Sequence, residues 1–278
     1  MKILILGGNR FIGKKVAVKL LSHGYNVTVV NRSGTGPEGA TIIKHDRDGG
    51  FDKNFFGKKY DVILDFCLFK QSQALTTFEH MDLHQRYYFI SSAAAYKDSN
   101  NFILSDYMPT GGLKAFGEYG VEKALCENVI RERCVNYTIF RPPYIVGKDC
   151  PRPRLRYYFD QILNNRDGVK VPGDGNSPFS IVWADDVVEI LFKACICLDY
   201  YPNRQYNLTG SDVYSCKTLV NELAEFMNRP QVSFLYDQKD TPFLNEPLIL
   251  NSSLIYEKFI PIKYRLKEFC EYYKINYE

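Results

Sequence analysis

The chain has 278 residues, 45% of them hydrophobic and 24% charged. That balance supports a substantial core and either one large domain or a domain with a smaller lobe, and it argues against disorder. The formal net charge is +3 and no Lys/Arg run is present, so neither a nucleic-acid partner nor an anionic membrane is expected.

The first residues, 3–6 (ILIL), form a compact apolar run that ends at glycine. It reads as a buried strand, too short for a membrane span and without a small-residue cleavage site. Residues 11–23 carry Ile12, Val16, Val18, Leu20 and Leu21 at helical spacing and stop at His23-Gly24. Strands follow at 27–30, 61–66 (DVILDF), 87–90 (YYFI) and 137–140 (YTIF), with helices at 71–81 and 119–132 between them. Strand–helix alternation predicts an α/β fold of Rossmann type, a doubly wound parallel sheet. Residues 148–178, rich in Arg, Pro, Gly and Asp, read as excursions from the sheet. Residues 211–278 offer one good helix, 216–227, then Pro-punctuated, Tyr-rich segments. The expected division is a dinucleotide-binding domain, 1–147 with 180–210, and a smaller substrate lobe, 148–179 with 211–278.

None of the eight cysteines forms a C-x-x-C pair. No metal site is expected, and reduced, packed thiols suit a cytoplasmic protein. No stretch approaches the roughly 18 apolar residues of a membrane span.

Between the first strand and first helix stands Gly7-Gly8-Asn9-Arg10-Phe11-Ile12-Gly13. Glycines at a strand–helix turn let a pyrophosphate approach free N–H groups and the positive end of the helix dipole. Gly7, Asn9, Arg10, Phe11, Ile12 and Gly13 are therefore candidate cofactor contacts. After the second strand comes Asn31-Arg32. A carboxylate there would hold both ribose hydroxyls of NAD. A neutral Asn31 beside Arg32 instead favours NADP(H) over NAD(H), since arginine pairs with a 2′-phosphate. Asp46 is assigned to the adenine side, and Phe66 and Cys67, at the end of the 61–66 strand, to the same cofactor path.

Tyr119-Gly120-Val121-Glu122-Lys123 puts a phenol and an amine on one helix face. A free phenol, with a pKa of about 10, is a poor base at neutral pH. A neighbouring ammonium stabilises the phenolate. Ser92 follows the 87–90 strand, where a hydroxyl faces the ligand crevice, and Ala93 beside it leaves room for a substrate.

Taken in order, GGNRFIG (7–13), DVILDF (61–66), FISSAAAY (89–96), YGVEK (119–123), RPPYIVG (141–147), VPGDG (171–175) and IVWADDV (181–187) resemble the extended short-chain dehydrogenase/reductase family. The resemblance is to its nucleotide-sugar epimerase, dehydratase and reductase branch, and it runs from Met1 to about Gly210. It implies a catalytic set of Ser92, Tyr119 and Lys123, a nicotinamide lined by Pro142, Pro143 and Tyr144, and structural roles for Asp185 and Asp186 at a helix start. The chain departs from the family pattern at Arg10, which stands where a glycine is usual. A subgroup whose loop reads GG-x-R-F-x-G shares that arginine and includes RNA-associated chloroplast proteins. The arginine that often holds a substrate diphosphate is missing, with Pro178 and Phe179 in its place. Arg152, Arg154 and Arg156 are candidates to replace it, and Arg152 and Arg156 join Ser92, Ala93 and Tyr144 as assigned substrate contacts. The acid pair of a dehydratase is replaced by Ala93 and Ala94.

The resemblance thus implies an NAD(P)-dependent reductase or epimerase working at the sugar C4 hydroxyl or keto position. Its partner is a nucleotide-diphosphate sugar, without nucleic acid or membrane, and dimers are frequent in the family. The alternatives are a dinucleotide-binding regulator or RNA-associated protein of the same fold, and a reductase of a non-nucleotide small molecule.

Overall fold

The computed structural model describes residues 1–51, 55–56, 60–82, 84–164 and 167–277. Seven strands form one all-parallel sheet: β1 (Lys2–Leu6), β2 (Asn26–Asn31), β3 (Thr41–Lys44), β4 (Val62–Asp65), β5 (Arg86–Ile90), β7 (Tyr137–Arg141) and β11 (Gln205–Asn207). Their spatial order is β11-β7-β5-β4-β1-β2-β3. This is the doubly wound sheet expected from the alternation of elements. The direction of winding reverses between β1 and β4, so the crevice at their C-terminal ends is the natural ligand site.

Near-continuous apolar strands need cover on both faces. On one face α1 (Phe11–Ser22) packs with α5 (Ala184–Ile196): Val16 and Leu20 share a core with Val187 and Leu191. On the other, α2 (Gln71–His80) and α3 (Gly117–Arg133) bring Phe78, Val129 and Ile130 against Leu4, Ile63 and Phe89.

A second core gathers α4 (Arg154–Asn164), α6 (Cys216–Phe226) and α7 (Ile262–Tyr277) around a three-stranded sheet ordered β12-β10-β8. Its strands are β8 (Tyr144–Val146), β10 (Phe179–Trp183) and β12 (Val213–Tyr214). β10 is a wall common to both cores. Phe179, Ile181 and Trp183 face the second core, while Val182 faces the first, as strand periodicity requires. Two short pairs complete the fold: β9 (Val169–Lys170) with β13 (Phe234–Leu235), and β6 (Ile103–Ser105) with β14 (Ile249–Asn251).

Several elements differ from the sequence reading, three of them of most consequence for the fold. β3 extends the sheet where no strand was expected. α4 forms within the 148–178 stretch that read as excursions. α7 closes the second core with Leu266, Phe269, Cys270 and Tyr273, although its region read as irregular. Among the described residues, no helix is long and apolar enough to cross a membrane, and no group of three or more His, Cys, Asp or Glu is placed to hold a metal ion. All eight cysteines are free thiols.

Candidate active site

Two adjoining hollows, of about 440 and 720 Å³, share Gly7, Arg10 and Phe69 in their walls. They make one groove across the C-terminal ends of β1, β2, β4 and β5. The glycine loop lies at its middle. Gly7 has φ +89°, and a Cβ on Gly13 would stand 2.7 Å from the Gly7 carbonyl oxygen. Neither position admits a side chain without moving backbone. Phe11, at the start of α1, has φ 42°, a strained conformation for a bulky side chain that the surrounding loop holds in place. No side chain caps the N-terminus of α1, and its first turn holds no acidic residue. Its orphan N–H groups and dipole end are therefore open to an anion, which fits the pyrophosphate of a dinucleotide.

The larger hollow is lined by Asn9, Arg10, Asn31, Arg32, Asp46 and Cys67. Its polar groups divide into committed and uncommitted. The Asn31 Oδ1 accepts from the Ser33 hydroxyl (2.7 Å) and the Gly34 N–H (2.9 Å), and its Nδ2 donates to the Thr35 carbonyl (2.7 Å). Asn31 therefore clips the loop that follows β2. Asn9 donates to Ser33 at 2.9 Å and joins this clip. The Asp46 carboxylate accepts from the Asp48 N–H at 3.1 Å. Arg10 and Arg32 are exposed on the groove and make no ion pair among the described residues. Burial, reinforced by Asp65, pushes the Cys67 thiol up to about 12, so it faces the groove as a neutral, unreactive SH.

The smaller hollow brings together Phe66, Ser92, Ala93, Tyr119, Lys123, Pro142 and Tyr144. Tyr119 is half-exposed at its mouth. Lys123, one helical turn on, is 1% exposed, and a fully buried lysine is rare unless it is paired. Here Nζ donates to the Leu68 carbonyl (2.9 Å) and the Ile90 carbonyl (3.1 Å), and it sits over the rings of Phe69 and Phe89 at 4.9 and 4.6 Å. It has no carboxylate partner among the described residues. One N–H remains for a ligand.

The two serines at the end of β5 separate cleanly. Ser91 is buried and donates to Glu127 at 2.6 Å. Ser92 lines the hollow, and its Oγ accepts from the Ala94 N–H at 3.1 Å, which leaves the hydroxyl proton to give.

The arginines after β8 divide unexpectedly. Arg152 and Arg154 line the smaller hollow. Arg156, assigned as a substrate contact from the sequence, does not. Two residues on a helix point about 200° apart, and Arg156 lies at the back of α4. There it bonds Asp160 at 2.5 Å and covers the ring of Tyr273 at 4.6 Å. Arg154 lines the hollow instead. It donates to the Ile145 carbonyl at 3.3 Å, lies 5.2 Å over the Tyr144 ring, and has no acidic partner among the described residues. Burial pushes its guanidinium below the ordinary value, and the charge of Arg152 adds to that. Phe116 and Leu248 also line this hollow. Sequence reasoning missed both, since they come from loops with no local motif. Asp185 and Asp186 sit in the first turn of α5 and pair with Lys15 (2.8 Å) and Arg265 (3.1 Å), away from the groove.

A model of the NAD dependent epimerase/dehydratase family matches residues 68–208. The UDP-glucose 4-epimerase of Corynebacterium glutamicum is 27% identical over 140 residues, 42% of this chain and 43% of that protein. The chloroplast stem-loop binding protein of 41 kDa b of Arabidopsis thaliana is 27% identical over 195 residues, 63% of this chain and 50% of that protein. The chain thus spans half or less of the length of these two relatives. Among solved structures, the UDP-glucuronic acid 4-epimerase of Bacillus cereus, in complex with UDP-glucuronic acid and NAD, has a TM-score of 0.79 over 100% of both chains at 17% identity. That likeness is one of fold.

Proposed function

Since the chain belongs to the NAD dependent epimerase/dehydratase family, we propose that it is a nucleotide-sugar epimerase that inverts the sugar at C4 with Tyr119, Lys123 and Ser92. The observation that carries this reading is the meeting of Tyr119, Lys123 and Ser92 in one hollow beside the glycine loop. A buried ammonium without a counter-ion among the described residues is costly, and a ligand that takes its remaining N–H offsets part of that cost.

A bound nicotinamide supplies the acceptor and donor of hydride. Ser92 donates to the oxygen on C4 and holds it near Tyr119. Tyr119 takes the C4 hydroxyl proton as the keto sugar forms, and returns it once the sugar has turned its other face. Lys123 supplies positive charge one turn from the phenol and a free N–H for the cofactor ribose. Arg154 and Arg152 hold the substrate diphosphate, since guanidinium forks match phosphate oxygens. Gly7, Gly13 and the start of α1 hold the pyrophosphate of the cofactor.

Tyr119→Phe tests the reading. Turnover of UDP-, dTDP-, GDP- or CDP-sugars should fall by about 10²–10⁴-fold, the usual worth of a positioned acid–base group, with cofactor affinity unchanged. Unaltered turnover would remove Tyr119 from the chemistry.

A second reading, an NADPH-consuming reductase, is favoured by one observation. Arg10 and Arg32 face the adenosine side with no ion-pair partner among the described residues, and Asn31 stands where a ribose-binding carboxylate would be. Titration with NADPH and NADH checks the cofactor preference: tighter binding of NADPH is expected, and tighter NADH binding overturns it. Conversion of sugar without net change in nicotinamide absorbance separates the epimerase from the reductase.

A further inference from the structure

Three stretches of main chain meet between Ser92 and Tyr119. The 93–95 turn after Ser92 binds the 111–113 strap: Ala94 O accepts from the Leu113 N–H at 2.9 Å, and Ala95 O from the N–H groups of Gly111 (3.0 Å) and Gly112 (3.2 Å). The first turn of α3 then lies directly on both. A Cβ on Gly120 would be 2.5 Å from Ala94 O, and a Cβ on Gly112, whose φ is +88°, would be 2.4 Å from the Val121 nitrogen. These neighbours are backbone atoms, so no rotamer change relieves either clash. One turn further on, Lys123 ties α3 to Ile90 O at 3.1 Å. The helix that carries Tyr119 is thus fastened to the segment that carries Ser92 at two points, one a hydrogen bond and one a contact that only glycine permits.

We propose that Gly112 and Gly120 are positioning residues, a side-chain-free joint that sets the gap between the Ser92 and Tyr119 hydroxyls. The inference rests on the catalytic reading above. Two hydroxyls that share one substrate oxygen must each lie within about 2.6–3.2 Å of it. An added methyl at 120 must open the Ala94 contact from 2.5 Å towards the ordinary limit of 3.4 Å, a shift of about 1 Å, which can cost on the order of 10²-fold in rate. Gly111, next in the strap, is different: its Cβ would meet only the flexible Lys97 side chain, at 3.3 Å.

The experiment compares wild type, Tyr119→Phe, Gly120→Ala, Gly112→Ala and Gly111→Ala on the nucleotide sugar that wild type turns over. Each is measured for kcat, KM and cofactor affinity. Gly120→Ala and Gly112→Ala should lose about 100-fold in kcat with KM and cofactor affinity near wild type, and Gly111→Ala should behave as wild type. If wild type turns over no nucleotide sugar, or Tyr119→Phe stays active, the catalytic reading fails and takes this one with it. If Tyr119→Phe is inactive while Gly120→Ala is fully active, or loses affinity instead of turnover, the joint alone is overturned. Retained cofactor affinity certifies the fold. Should both Gly120→Ala and Gly112→Ala fail to bind cofactor while Gly111→Ala binds it, the contact is a folding element and the proposal is wrong.

Discussion

The end of β7 and the start of α4 each enclose an arginine, and they treat it in opposite ways. At the end of β7, Arg141 is fully buried and forks onto Glu127 through Nε (2.9 Å) and Nη2 (2.6 Å). Glu127 also accepts from Arg131 (2.7 Å) and Ser91 (2.6 Å), while the Arg141 guanidinium lies 4.5 Å over the Tyr96 ring. At the start of α4, Arg154 has a carbonyl and an aromatic face but no carboxylate among the described residues, and Arg152 is its like-charged neighbour. A buried charge with its partners present belongs to the scaffold. A half-buried charge without them is stabilised when an anion arrives.

The largest effect should come from breaking the complete cluster. Glu127→Gln leaves Arg141 buried without its counter-ion and should cost about 3–5 kcal/mol of stability, read as a lower urea midpoint. The cluster also sets an acid limit. Burial alone would raise the Glu127 carboxyl, but Arg141, Arg131 and Ser91 together hold it below the ordinary range. A depressed folded-state value means that this stability is present above the unfolded value of about 4.3 and is lost as pH falls through the lower folded one. The wild type should therefore lose stability on acidification through that window, and Glu127→Gln should lose less over the same range.

Arg154→Met should do the reverse. Removing a cation that lacks a partner leaves stability within about 1 kcal/mol of wild type. KM for the nucleotide sugar should rise by about 10–100-fold, or 1.4–2.8 kcal/mol, the scale of a charge-assisted hydrogen bond. A loss of stability equal to that of Glu127→Gln, with KM unchanged, would erase the distinction between the two regions. The smallest effect should come from an exposed pair. Asp185→Asn breaks the contact with Lys15, whose side chains are 50% and 33% exposed, and should cost under about 1 kcal/mol.

The first half of the molecule was legible because its signals are local. An apolar run with a glycine after it gives β1 and its loop, and period-3.6 residues between such runs give α1, α2 and α3. The Tyr119–Lys123 spacing needs only a helix to bring both side chains to one hollow. The second half depends on partners distant in sequence. Within the first half β3 is the exception: it is short, with half-exposed and exposed residues, so neither periodicity nor burial announces it. α7 was obscured by its tyrosines and by Pro261, which precedes Ile262 and marks a helix start rather than a break. Leu266, Phe269, Cys270 and Tyr273 keep a helical period once Tyr is counted as apolar. The choice among Arg152, Arg154 and Arg156 turns on the phase of α4. Leu155, Tyr158, Phe159 and Ile162 on its buried face fix that phase, but only after the helix itself is recognised.

The pairing of α1 with α5 has a consequence for biogenesis. Lys15 and Lys19 meet Asp185 and Glu189, each across 170 positions of chain, and the apolar stripe of Val16 and Leu20 is covered by Val187 and Leu191. A ribosome adding roughly 5–20 residues per second must work for many seconds after releasing the glycine loop before it delivers the helix that covers α1. During that interval the nascent chain presents the uncovered apolar stripe of α1. Chaperone capture of stalled chains should therefore fall in two steps, first when the segment ending at Ile196 has cleared the exit tunnel and again when α7 closes the second core.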